Sequence, residues 1–321
     1  MTAFTGVFAD DASRRAAETA LAAATAEQPR AVEPLGRGNR KQTALVRFDD
    51  RGPVVLQLCD EQTWLRTESV LLTRLRRETE VPVPPVLAAG VSDEIAFMVT
   101  AYVPGTDLHG RFSGLSQGRQ RHLSRGFGRY LGQLHDRLRF DGYGPIAVES
   151  GALVAQAGDW QRWCAGYGRT AVERLPPAFD PVREASLELV TERPSDSAPP
   201  ARLFPWDFRP GNAVVADGRI TAILDWEAPM AARPALSAAK AEYLVADWYV
   251  TDPEPLRRAF VAGYETVREY PDVRPAHRVA AIADSAVDST GAVTNPRYPE
   301  LDREEAVAVH REALANLLSS R

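Results

Sequence analysis

Apolar positions recur with two different periods along this chain, and the change of period divides it. Between residues 43 and 103, apart from one helical stretch, they fall in short β-prone runs, and beyond residue 115 they recur every three or four positions over long stretches. Thr43 to Phe48 and Val54 to Cys59 read as two strands joined by a turn at Asp49 to Pro53. Alternation in the second puts Val55, Gln57 and Cys59 on one face and Val54, Leu56 and Leu58 on the other. Residues 11 to 27, rich in alanine, and about 61 to 76 read as helices; Trp64, Leu65, Leu71, Leu72 and Leu75 form the apolar stripe of the latter, with Glu68 on the same stripe. Pro82, Pro84 and Pro85 forbid helix after it, and residues about 86 to 91 and 95 to 103 are strand-like. The stripe Leu115, Leu123, Phe127, Leu131, Leu134 and Leu138 predicts a long helix, and Trp160, Trp163 and Tyr167 mark the core face of another over 159 to 175. Further helices are predicted over 235–249, 254–269, 275–289 and 303–319.

One segment breaks this scheme. LFPWDFRPGN, from Leu203 to Asn212, is followed by two short apolar runs, Ala213 to Val215 and Ile220 to Leu224, with Asp217 and Gly218 between them. The runs read as a hairpin closed at Asp217-Gly218, which brings Asn212, before its first strand, and Asp225, after its second, to the same end. Asp207 lies in the preceding loop, where Pro205, Pro210 and Gly211 exclude helix. Phosphoryl transfer from a metal nucleotide needs one carboxylate to orient a hydroxyl, and a side-chain oxygen and a second carboxylate to hold the metal. Taken singly, the three residues also suit a loop cap, a turn and a strand end; their joint spacing points to chemistry.

This stretch resembles that of the aminoglycoside phosphotransferase family of small-molecule kinases, relatives of the protein kinases, which reads like HGDLHPGN followed by a hydrophobic strand and IDW. The resemblance implies an α+β, bilobal, protein-kinase-like fold: an amino-terminal nucleotide lobe over residues 1–103 and a larger, mainly helical catalytic and substrate lobe over 104–321. It implies Asp207 as the catalytic aspartate, Asn212 and Asp225 as metal ligands, ATP and Mg2+ as cofactors, and a small-molecule hydroxyl as acceptor. Gly36, Gly38 and Asn39 resemble the nucleotide loop, Glu68 the helical glutamate, and the backbone from Ala101 to Val103 the adenine-binding connection between lobes. Two departures stand out. Pro205 and Trp206 replace the usual His and Gly, a loss of support for the loop more than of chemistry, and Gln57 replaces the phosphate-binding lysine. Lys41, on the preceding strand, is a candidate to supply the missing charge, an arrangement similar to that in with-no-lysine protein kinases; Arg40 and Arg47 are its rivals, and a solvated Lys41 is the plainer alternative. A degenerate nucleotide-binding module without phosphotransfer is the competing function.

Composition narrows the rest. With 45% hydrophobic and 25% charged residues, the 321-residue chain is expected to fold as a soluble protein. A net charge of -5 gives no electrostatic footprint for nucleic acid. No apolar run reaches membrane-spanning length, and acids follow the amino terminus too soon for a secretory signal, so a cytoplasmic protein with no membrane partner is expected. Cys59 and Cys164, the only cysteines, have no metal-ligand spacing. Lysine stands only at Lys41 and Lys240; the other 36 basic residues are arginines. His135 reads as structural, Asp284 and Asp288 as solvated helix acids in preference to ligands for a cation, and Glu192 and Asp196 as members of an exposed loop.

Overall fold

The computed structural model describes residues 4, 6–8, 10–36, 40–192 and 198–319. Gly38, Asn39 and Asp196 lie outside the described residues.

The first part of the chain forms a five-stranded antiparallel sheet from β1 (Ala31–Pro34), β2 (Gln42–Arg47), β3 (Val54–Cys59), β4 (Val86–Ser92) and β5 (Ile95–Ala101), in the order β1-β2-β3-β5-β4. The period-two pattern of β3 decides which helix covers which face. Val54, Leu56 and Leu58 pack with Ala16, Ala17, Ala20 and Leu21 of α1 (Asp11–Ala24), whereas Cys59 faces the leucines of α2 (Gln62–Glu78). Leu65, Leu71 and Leu75 of α2 are fully buried, each contributing about 2 kcal/mol of gross apolar stabilisation. The core that receives them is shared with the rest of the molecule, and Val148 N donates to Thr67 Oγ1 of α2 at 3.1 Å. The packing of α2 therefore ties the sheet to the helical portion.

After β6 (Thr106–Asp107) the chain is mainly helical: α3 (Gln117–Arg137), α4 (Trp160–Glu173), α5 (Asp180–Thr191), α6 (Pro234–Glu242), α7 (Glu254–Tyr264), α8 (Pro275–Ser285) and α9 (Arg303–Ser319). Two small sheets are set among them. β7 (Arg139–Phe140), β8 (Tyr143–Glu149), β9 (Ala152–Ala157), β10 (Ala201–Phe204) and β13 (Met230–Ala232) run in the order β7-β10-β13-β8-β9, and β11 (Ala213–Ala216) and β12 (Arg219–Ile223) form a hairpin flanked by β6. The fold class is thus the expected α+β arrangement of an antiparallel sheet portion and a helical portion. α3 and α7 cross so closely that a Cβ on Gly128 would stand 1.9 Å from Phe260 O, and one on Gly263 would stand 2.0 Å from Arg125 O.

Several elements depart from the sequence reading. α5 and the β8–β9 hairpin have no counterpart in it. Gly142, Gly144 and Pro145 interrupt the apolar pattern at the start of β8, and β9 is half exposed on alternate positions, so neither strand carries a strong period of its own. The helix expected over 235–249 is α-helical only to Glu242 and then widens into a π turn, Tyr243–Asp247. β5 ends at Ala101, two residues before the expected end of that strand.

Candidate active site

The hairpin forms as the sequence predicts. Asp217 and Gly218 both adopt positive φ, 51° and 74°, as a two-residue primed turn requires, and Ala213 pairs with Ile223. Asn212 and Asp225 consequently flank its open end, and Leu224 N donates to Asn212 O at 2.7 Å. Asp225 itself has φ 60°. A non-glycine residue in the left-handed region costs on the order of 1–3 kcal/mol, a strain that turns the chain sharply out of β12. Asp207 is held from the other side: Asn212 Nδ2 donates to Asp207 Oδ2 and to its backbone carbonyl, both at 2.9 Å. The side-chain oxygen of Asn212, Oδ1, the atom suited to a metal, makes no hydrogen bond among the described residues. Arg209 Nε lies 2.8 Å from Asp207 Oδ1 as an ion pair, and Tyr249 OH accepts from Gly211 N at 2.9 Å.

Lys41 stands one strand away from Gln57. Because Gln42 pairs with Leu58 and Thr43 with Gln57, Lys41 shares the face of Gln57 and Cys59 that looks toward α2. Its Nζ lies 2.6 Å from Glu68 Oε2, 3.4 Å from Glu227 Oε2 and 3.5 Å from Asp225 Oδ1. Only 8% of its side chain is exposed, so the solvated alternative does not hold. Of the two rivals, Arg47 pairs with Glu33 at the surface, and Arg40 stacks on Trp64, its guanidinium carbon 4.3 Å from the ring centroid. Glu68, 3% exposed, also accepts from Trp226 N at 3.3 Å. A buried lysine–glutamate pair is thus present, with its cation at the foot of β2 and not on β3, where Gln57 stands.

These groups share one cavity of about 580 Å³, lined by Lys41, Gln57, Asp207, Asn212, Asp225 and Glu227 among others. Burial alone would depress Lys41, but Glu68, Asp225 and Glu227 outweigh it and hold the ammonium above its ordinary value. Asp225 keeps 41% of its side-chain surface open to the cleft although protein surrounds it. Desolvation, then the carboxylates of Glu227 and Asp207, raise its pKa against the pull of Lys41. An acid raised in this way gains from a further cation, so the donor set of Asn212 and Asp225 fits Mg2+. No group of three His, Cys, Asp or Glu residues able to hold a metal occurs among the described residues; a magnesium ion held here would take its remaining ligands from phosphate and water.

Residues 31–276 match the phosphotransferase enzyme family. The chain belongs to that family. None of the curated proteins matches it significantly in sequence. Among solved structures it is similar to a thermostable variant of the aminoglycoside phosphotransferase APH(4)-Ia, with 15% identity and a TM-score of 0.64 over 91% of this chain and 95% of the other. A putative fructosamine-3-kinase from Haemophilus somnus 129PT gives 13% identity and a TM-score of 0.64 over 95% and 97%. The macrolide 2'-phosphotransferase MphH from Brachybacterium faecium gives 19% and 0.58 over 95% and 98%. The resemblance and fold class expected from the sequence are therefore correct: this member of the phosphotransferase family has the fold of those enzymes. A variant of APH(4)-Ia holds AMP-PNP and hygromycin B in a ternary complex.

Not every expected residue reaches the cavity. Gly36 has open space around the position of a Cβ, and Gly38 and Asn39 lie outside the described residues. Ala101 and Val103 stand at the end of β5 and just beyond it, outside the wall of this cavity. The largest correction concerns Asp284. It is no solvated helix acid but is 7% exposed and accepts hydrogen bonds from Lys240, Trp206 and Tyr167. Asp288 lies beyond the end of α8, where it caps its own loop through Thr290 and Ala292. Glu227, Arg209 and Lys240 line the cavity and were not singled out. Only Lys240 had a signal, as one of two lysines in an arginine-rich chain. His135 is structural as expected: it is fully buried between Tyr264 OH at 2.8 Å and Ser237 Oγ at 2.9 Å. Among the described residues, no helix is long and apolar enough to cross a membrane.

Proposed function

We propose that this phosphotransferase moves the γ-phosphoryl group of ATP to a hydroxyl of a small molecule, with Asp207 orienting the hydroxyl and Asn212 and Asp225 holding Mg2+. The observation that carries this reading is the convergence on one cavity of Asp207, Asn212, Asp225 and Lys41, the last paired with Glu68 behind it. Asp207 lies with its carboxylate oriented by Asn212, so that a hydroxyl entering the cavity meets a fixed acceptor for its proton. Lys41 supplies the positive charge that Gln57 lacks, and Glu68 aims it. The family resemblance assigns the phosphates to the loop after β1 and the adenine to the backbone of Ala101 and Val103, at the end of β5 and just beyond it. Magnesium, when bound, would offset charge on the phosphates; positioning and charge stabilisation supply the rest.

Of the cavity's carboxylates at the α8 end, Asp284 is already engaged by Lys240, Trp206 and Tyr167, and Asp288 spends Oδ1 on its own loop. ATP consumption over a panel of neutral sugars and polyols, amino alcohols and aminoglycosides identifies the acceptor. Turnover should require Mg2+ and vanish in Asp207→Asn. Tight nucleotide binding without turnover across the whole panel would replace the enzyme with a nucleotide-binding module.

A further inference from the structure

Both lysines of this chain line the same cavity, and each is buried against a carboxylate. The pairing of Lys41 belongs to the nucleotide end. Lys240, on α6, does not: its side chain is 3% exposed and its Nζ donates to Asp284 Oδ2 on α8. The same oxygen accepts from Tyr167 OH of α4 and from Trp206 Nε1, each at 2.8 Å. Lys240 Nζ also lies 4.5 Å from the centroid of the Trp206 ring, within cation–π range. Arg174 Nη1 stands 3.8 Å from the other oxygen of Asp284.

A buried ion pair repays its desolvation only when its remaining hydrogen-bonding capacity is met; here three donors from three segments meet one carboxylate oxygen. The segment this fixes is the loop that carries Asp207. Trp206 is the residue directly before Asp207, and its indole is pinned twice, at the ring N–H by Asp284 and across its face by the ammonium. A side chain so held fixes its own backbone, and with it the peptide plane shared with Asp207. Asn212 and Tyr249 hold the loop from the far side. An arginine would bring five N–H donors into this closed site, whereas an ammonium needs few partners and fits between one oxygen and an indole face.

We propose that Asp284, paired with Lys240, is a positioning residue for phosphoryl transfer: through the indole N–H of Trp206 it anchors the backbone before Asp207 and supplies the support that Pro205 cannot give. The proposal rests on the phosphotransferase reading above for its effect on rate, but the anchoring can be read separately. Trp206→Phe removes the N–H and keeps an aromatic face. It should lower kcat about tenfold to a hundredfold, the scale of a small misplacement near the chemistry, leave the Kd for Mg-AMP-PNP unchanged, and speed hydrogen exchange of the backbone amides between residues 206 and 212. Because Asp284→Asn alone strands a buried ammonium, the companion variant is Asp284→Asn/Lys240→Met, which removes both charges while the Asn carbonyl still accepts from Trp206. It should remain folded and retain more kcat than Trp206→Phe. A merely structural role predicts instead that kcat follows thermal stability through both variants. Wild-type kcat in Trp206→Phe, or unchanged exchange protection of the loop, overturns the proposal. If the wild-type protein turns over no acceptor, the phosphotransferase reading fails, and the exchange comparison still decides whether the anchor exists.

Discussion

Replacing Lys41 by methionine keeps most of its aliphatic stem and removes the charge at the centre of the site. Two separate losses follow, and the structure lets them be told apart. The first is stability. Glu68, with 4% of its side chain exposed, loses a partner 2.6 Å away, and breaking a buried pair by removing one member costs about 3–5 kcal/mol. The second is binding. If Lys41 contacts the phosphates, losing a hydrogen bond to a charged group costs about 1.5–3 kcal/mol, a roughly tenfold to hundredfold rise in Kd at about 1.4 kcal/mol per decade. Lys41→Met/Glu68→Gln removes both charges, so it should recover most of the stability while leaving binding weak. Adding Gln57→Lys places an ammonium one strand over on the same face and should recover part of the affinity. Calorimetric titration with Mg-AMP-PNP, alongside thermal unfolding of each variant, separates the two effects. Arg47→Ala, which breaks a surface pair with Glu33, is the control and should bind as the wild type does. Wild-type affinity in Lys41→Met/Glu68→Gln would falsify the assignment of Lys41 to the phosphates.

Asp225 carries the second prediction. Its raised pKa means that metal binding competes with a proton above the usual carboxylate range, so the Mg2+ concentration giving half-maximal activity should rise on acidification while the fold is still intact. Asp225→Asn should remove that pH dependence together with most of the activity. Stability should also fall on acidification for a different reason. Burial holds His135 near 3 and His277 and His310 near 4, all below the ordinary value of 6.5. Between that value and these the unfolded chain takes up protons that the native protein excludes, and linkage puts the loss at pH 5 at about 2 kcal/mol for each such residue; a melting temperature that stays level between pH 7 and pH 5 would show that these histidines are not buried neutral. Gly128→Ala drives a Cβ into Phe260 O, and overpacking of this kind costs about 1–3 kcal/mol. The melting temperature should drop by several degrees, with the Kd for nucleotide unchanged because neither α3 nor α7 lines the cavity.

The sequence by itself determined the elements whose signals are local. The Asp217-Gly218 turn needs only the tolerance of its two residues for positive φ, so the hairpin, and with it the proximity of Asn212 and Asp225, followed from the order of residues. Alternation in β3 likewise divided its residues between two faces, although which face meets α1 was decided by packing. Local order could not decide where Lys41 points, because that depends on the pairing of β2 with β3 and on the packing of α2 behind them; only the tertiary structure put its ammonium on Glu68. Asp284 failed for the same reason on a larger scale. A helix acid is solvated unless other segments close over it, and here Lys240, Trp206 and Tyr167 arrive from α6, the loop that carries Asp207, and α4. Charges on such a residue are decided by partners far away in sequence, since desolvation and its compensation belong to the packed assembly of segments and to none of them alone.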